Sequence, residues 1–380
     1  MFLDLFLNKL KVRENWSNVN VKIQLRPLPS PREAKVGAVD GGGRAAKLER
    51  GLVLYVARGA LVSEEGIERE MIAEICPWES KPYLESARSL SELMVAQRFK
   101  GDLLLMDGSY YTIITRWLQR LFRIAMMRAK VSEIASLPYT LLALENIIKV
   151  IKMNAVFVAK SPNFKIFKEY LLLKELFEET GDEKFFILMK EPYINKKDLI
   201  DFIKDPKIGR KISALLNASL SDIDLLEGEG VSKGLEPGVP RALRRFLSPS
   251  KLKEVVEIAR ENYQVTFGDD TPKVDLSELC FLRSPVVWWV KIGRVVFTVE
   301  EASGSPLCTS AVRREVDAYP RSLPKMLSSS NGYSYWLTLA HVVSTVKASH
   351  LETYLQLVRS RLGLESEAIR EDLIFSSRAR

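Results

Sequence analysis

One mixed β-sheet flanked by helices is the fold the sequence predicts, and three observations predict it. Short apolar runs at residues 36–39, 103–106 and 155–159 have the length of buried strands. The first two run directly into an aspartate followed by glycine, Asp40-Gly41 and Asp107-Gly108. Between the runs, apolar residues recur at intervals of three and four, the period of a helix that buries one face.

The elements follow in order. Residues 25–33 are polar and proline-bearing, and 36–39 then form a buried strand that ends at Asp40. Leu52-Val53-Leu54-Tyr55-Val56, within 51–63, is rich in strand formers, and Glu70-Met71-Ile72-Ala73-Glu74-Ile75 partly alternates. These make a three-strand meander. Over 81–99, Leu84, Ala87, Leu90, Leu93 and Met94 trace one face of an amphipathic helix that carries Glu85 and Glu92. A strand at 103–107, helical patterning from Thr112 that includes 141–151, and a fifth strand at 155–159 ending at Lys160 complete the unit. Three strands, a helix, a strand, helix and a strand is the ribonuclease-H-like order, a mixed five-stranded sheet with flanking helices. Residues 164–260 are mostly helical and charge-rich, broken by Gly228-Glu229-Gly230 and Pro237-Gly238-Val239-Pro240, which marks an inserted or appended helical region. A hairpin at 286–290 and 295–299 turns at Ile292-Gly293-Arg294, and a last amphipathic helix runs from about 337 to 362. The expected organisation is an N-terminal amphipathic arm (1–30), a core from 31–163 and 280–365, an additional helical region (164–279) and a C-terminal tail (366–380).

Composition narrows the function. With 47% hydrophobic residues over 380 positions the chain can bury a large core. No apolar run approaches the ~18 residues that cross a bilayer, and the opening segment is too short and wrongly charged for a signal peptide. A cytoplasmic protein with no membrane partner is expected. Cys76, Cys280 and Cys308 lie far apart in sequence without metal-site or disulfide spacing, so reduced, buried thiols are expected. With His341 and His350 the only histidines, a divalent metal would be held mainly by carboxylates, which points to magnesium or manganese. The net charge of +8 favours a polyanionic partner. Arg116, Arg120 and Arg123 recur at helical spacing, a stripe that either tracks phosphates or is an ordinary solvated helix face.

The two Asp-Gly sites carry the chemistry. If their strands lie side by side and parallel, Asp40 and Asp107 meet at one edge, where glycine lets a ligand approach the backbone. Hydrolysis of a phosphodiester needs an activated water and a stabilised leaving oxygen, which two carboxylate-held divalent ions can supply. Glu92, on the helix before the second aspartate, is the candidate third acid; Glu85, seven residues earlier on the same face, is its alternative. Lys160 closes the fifth strand where it either holds a phosphate or is simply solvated. His341 lies in an apolar helical stretch, as either a core residue or a ligand. Met1 to Leu10 is amphipathic and docks either on a partner or on its own core.

On these residues the chain resembles the NurA nuclease family. The resemblance runs from Val36 to the end of the last helix. It rests on Ala38-Val39-Asp40-Gly41, Leu104-Leu105-Met106-Asp107-Gly108-Ser109, Val158-Ala159-Lys160-Ser161, and Gly332-Tyr333 with Ala340-His341. It departs from the family at Gly42, where a serine or similar residue is usual, and at Ser334, where proline is usual. What the resemblance implies is a manganese-dependent deoxyribonuclease, with 5′ to 3′ exonuclease and single-strand endonuclease action on single- and double-stranded DNA, in end resection for recombinational repair. It implies a homodimer working with a HerA-type hexameric ATPase on nucleoid DNA. Carried over, the metal-binding acids are Asp40, Glu92 and Asp107, with Tyr333 and His341 completing the site and Lys160, Arg116, Arg120 and Arg123 meeting DNA.

Two other readings compete. An actin- or sugar-kinase-like phosphotransferase also opens with a strand, an aspartate and glycines, here Asp40-Gly41-Gly42-Gly43; it needs a second glycine-rich phosphate loop, which the sequence lacks. A noncatalytic DNA-binding scaffold would share fold and charge, and the retained acids argue against it.

Overall fold

The protein was studied as a computed structural model, which describes residues 21–160, 165–191, 194, 196–217, 219–309, 312–328 and 333–362. The first twenty residues of the expected arm, Ser161, Gly332 and the tail lie outside the described residues. So does the side chain of Tyr333.

The meander forms as expected but its strands are longer: β1 is Val36–Lys47, β2 Val53–Ser63 and β3 Gly66–Cys76, all antiparallel neighbours. Helix α1, Lys81–Ala96, starts where the Ser80 side chain accepts the Tyr83 N–H (3.1 Å) and a proline occupies the first turn. Strand β4, Leu103–Asp107, returns parallel to β1, with Val36 opposite Leu103 and Val39 opposite Met106. Helices α2 (Tyr110–Ala125) and α3 (Leu137–Lys152) lead to β5 (Val156–Ala159), parallel to β4. The result is a mixed α/β architecture with the order β5-β4-β1-β2-β3.

The sheet does not stop at five strands. Helix α4 (Ile166–Thr180) opens the mostly helical region, which also supplies β6 (Gly230–Val231), β7 (Gly234–Glu236) and helix α5 (Pro249–Phe267). The predicted hairpin is β8 (Val286–Ile292) and β9 (Val295–Glu301), turning at Gly293 with φ of 57°. With β10 (Arg314–Val316), the described residues form one ten-stranded sheet in the order β10-β7-β8-β9-β5-β4-β1-β2-β3, with β6 also on β8. The hairpin docks antiparallel on β5 through Thr298 opposite Ala159. The hairpin was expected, but its docking on β5 is a long-range pairing that no local pattern shows, and β6, β7 and β10, of two or three residues, carry too little period to be seen in sequence.

Both faces are covered. Helices α1, α2, α3 and α5 pack on one side around Val39, Met106, Leu121 and Leu144. On the other lies α6 (Tyr333–Ser344), whose Leu337 and Ala340 meet Ala38, Leu105 and Val158. The expected last helix is broken: α7 (Ala348–Leu362) begins after a three-residue gap and packs through Leu351 and Leu355 on Leu54 and Val56. Along β8 the alternation sends Trp288 to the α6 side and Trp289 to the cluster under α4. Each such fully buried large side chain contributes about 2–3 kcal/mol. Among the described residues no helix is long and apolar enough to cross a membrane.

Candidate functional site

The pairing of β1 with β4 ends at Val39 opposite Met106, while its pairing with β2 continues to Lys47. From Asp40 onward β1 is therefore open on the β4 side, and Asp107, the last residue of β4, stands at that notch. Strand alternation puts Asp40 on the face of Ala38 and Asp107 on the face of Leu105, both toward α6. The two aspartates meet, as the parallel pairing requires.

Helix α6 completes that face. His341 Nδ1 lies 2.7 Å from Asp40 Oδ2, and Ser344 Oγ donates to the same oxygen at 3.4 Å. The other oxygen accepts the Gly41 N–H at 2.7 Å. The imidazole is 62% exposed, so His341 is neither a packed core residue nor sequestered; with Nδ1 on Asp40, Nε2 remains for a ligand. Asp40 raises its basicity by accepting the ring hydrogen bond, against a smaller opposing effect of burial.

The expectation that the first strand ends at Asp40 fails, and the glycines explain why. Gly41, Gly42 and Gly43 are all inside β1. A Cβ at 41 would stand closer than 3.0 Å to the Glu92 side chain, at 43 to Leu84, and at 42 to the Ser344 carbonyl oxygen. Gly59 on β2, opposite Gly41, has the same relation to the Ser91 backbone. The glycines are not a phosphate-cradling loop; they let α1 and the end of α6 press onto the two faces of one strand. At Gly42 the Ser344 carbonyl leaves no room for a side chain.

Glu92 reaches the notch from α1, lying over Gly41. Burial, reinforced by Asp40 and Asp107 and opposed by Arg88, pushes its carboxyl up to about 8. Burial and the charge of Asp40 raise Asp107 to about 6, against Lys160, His341 and Arg88. These six groups therefore act on one another in one place. Hard oxygen donors crowded until their charges oppose one another suit a divalent cation, whose charge would relieve that opposition. Among the described residues no three acids, histidines or cysteines already stand as a formed metal cage, so the cluster is electrostatic rather than preassembled.

Other expected residues fall differently. Glu85 is paired with Arg120 (3.4 Å) and Arg116 (3.9 Å). Lys160 is exposed at the end of β5, near enough to lower Asp107. Of the arginine stripe, Arg116 and Arg123 face solvent, at 53% and 45% exposure, and Arg120 does not. Arg120 is only 4% exposed and donates to Ser86 Oγ (2.7 Å) and the Pro82 carbonyl (3.3 Å), tying α2 to α1; Arg123 is paired with Glu133. Helical spacing could not reveal an acid on another helix. The thiols are free, yet Cys308 is only partly buried and its N–H donates to the Cys280 carbonyl (3.0 Å), so two cysteines distant in sequence are neighbours in space.

Two residues escaped the sequence reading. Arg88 stands four before Glu92 on α1 with Nε 3.4 Å from its carboxylate; the i,i+4 spacing was the available signal. Glu300, buried on β9, accepts the Tyr111 N–H (2.9 Å) at the start of α2, just beyond Asp107-Gly108. Nothing in Val299-Glu300-Glu301 distinguished it from a solvated strand end.

No protein-family model and no curated protein matches the sequence. Solved structures do. The chain is similar to NurA. A crystal structure of NurA with manganese shares 14% identity, covers 95% of this chain and 98% of its own, and superposes with a TM-score of 0.46. A crystal structure of NurA bound to dAMP and manganese shares 16% identity over 95% and 96% of the two chains, with a TM-score of 0.43. A further NurA structure gives 16%, the same coverages and 0.42.

Proposed function

We propose that this chain is a metal-dependent deoxyribonuclease built on a ribonuclease-H-like core. One observation carries the reading: two parallel strands bring Asp40 and Asp107 to a common notch, with Glu92 entering over Gly41 and His341 bonded to Asp40. The strand order β5-β4-β1-β2-β3 supports the fold assignment.

Asp40, Glu92 and Asp107 would hold manganese or magnesium, in one or two ions. Such a cation, when bound, supplies an activated water and charge stabilisation at the leaving oxygen. The protein's own groups do the rest. His341 and Ser344 orient the Asp40 carboxylate, leaving His341 Nε2 toward the open side to meet a phosphate or exchange a proton. Lys160 holds a phosphate beside Asp107, and Arg88 steadies Glu92. The phosphotransferase alternative needs Gly41–Gly43 as a phosphate loop, and their place inside a strand speaks against it. End resection, a HerA-type partner, a homodimer and a role for Tyr333 belong to the same proposal.

The test is cleavage of end-labelled linear DNA by wild type and Asp40→Asn, with manganese, magnesium or EDTA, after circular dichroism shows both folded. Metal-dependent digestion lost in the variant is expected. Intact DNA with wild type in every metal overturns the reading.

A further inference from the structure

Most cations around the nuclease notch are already spoken for. Arg88 meets Glu92, Arg116 and Arg120 share Glu85, Arg123 meets Glu133, and Arg98 meets Glu68 and Glu70. Arg44, Arg58 and Lys347 have no acidic partner among the described residues.

These unpaired cations converge. Arg58 is the cross-strand partner of Gly42, and Arg44 lies two residues further along β1, so both stand on the sheet face of Asp40. The connection from α6 to α7 presses onto that face, with the Ser344 carbonyl and Thr345 Cα against Gly42. Val346 and Leu351 are buried on Leu54 and Val56, which pins the stretch between them beside Arg58. Within it the Lys347 N–H donates to His350 Nδ1 at 3.4 Å, which holds the imidazole beside Lys347. Burial, then the charges of Arg58 and Lys347, hold His350 below the usual histidine range. Cations gathered without an acid repel one another, and an anion with closely repeated charges relieves that repulsion. A nucleic-acid strand carries one charge every ~3.4 Å.

We infer that Arg58, Lys347 and His350, flanked by Arg44, form a phosphate track that guides a DNA strand along the sheet face to Asp40 and His341. The identity of the polyanion rests on the nuclease reading above; the track itself rests on the unpaired charge and its place on the Asp40 face.

The test is binding of a fluorescent oligodeoxythymidine in EDTA, where cleavage is silent, across a salt titration. Lys347→Glu, at an exposed position, and the double variant Arg58→Gln with Lys347→Gln are compared with wild type. Each is expected to lose at least about tenfold in affinity at 0.1 M salt, and the log–log salt slope of the double variant to shrink by about 1.4, two contacts' worth. Arg116→Gln with Arg123→Gln should stay within about twofold of wild type. Wild-type-like binding by both track variants overturns the track, and leaves the nuclease reading standing if wild type still cleaves with metal. Binding lost in the variants, with a wild type that cleaves in no metal, supports the track and overturns the nuclease.

Discussion

Asp40-Gly41 and Asp107-Gly108 look alike in sequence, each an apolar run stopped by aspartate and glycine, yet the structure uses them differently. At Asp107 the strand does end: Gly108 has φ of 106°, its N–H donates to the Val158 carbonyl (2.9 Å), and the Ser109 side chain caps α2 by accepting the Thr112 N–H. At Asp40 the strand runs on for seven more residues, and the glycines make room for helices. One glycine is needed for its backbone angle, the others for absent side chains. The aspartates nonetheless reach the same notch, because what exposes Asp40 is the end of its neighbour β4 rather than its own.

That contrast can be broken at several points. The largest effect is expected at the acids, where Asp40→Asn and Asp107→Asn should each lower DNA cleavage by about a thousandfold, a rise of ~4 kcal/mol in the barrier, while melting curves stay near wild type. Unequal losses, with one variant fully active, would separate the two sites. Next comes packing. Gly42→Ala, which faces the Ser344 backbone, should destabilise by about 3 kcal/mol in urea unfolding. Gly41→Ala meets the movable Glu92 carboxylate instead, so activity should fall more than stability.

Glu300 sharpens the Asp107 side. Burial, opposed by hydrogen bonds from Tyr111, Ser109 and Tyr110, raises its carboxyl to about 7 from an ordinary 4.5. The folded state therefore favours the protonated acid. Its stabilising contribution is complete below about pH 4.5 and is lost as pH rises through about 7. Glu300→Gln should gain stability on the order of 3 kcal/mol over wild type at pH 8 and show no gain at pH 4, read by urea midpoints at the two pH values. The smallest effect is expected at Gly108→Ala, where nothing crowds the position and only the backbone angle is strained, about 1–2 kcal/mol.

What the sequence reveals and what it hides divide along physical lines. The strands of β1 to β5 are legible because buried runs and helical periods are local, and Asp40 and Asp107 could be named from their place in those runs, whereas His341 was named only through the family resemblance. Choosing Glu92 over Glu85 required seeing that Arg116 and Arg120 neutralise Glu85 from another helix. The Gly41–Gly43 run looks like a loop because its cause lies in Ser344, some three hundred residues away. Arg120 looks solvated because its partners, Ser86 and Glu85, come from α1. Arg58 and Lys347 matter for the partners they lack, which no pattern along the chain records.

The central claim is that Asp40 and Asp107, despite their different settings, share one cation. Its most direct test is a titration of manganese followed by the electron paramagnetic resonance of the free ion, with wild type, Asp40→Asn and Asp107→Asn. Binding by wild type that either substitution weakens at least tenfold is the predicted result, and binding left unchanged by both would contradict it.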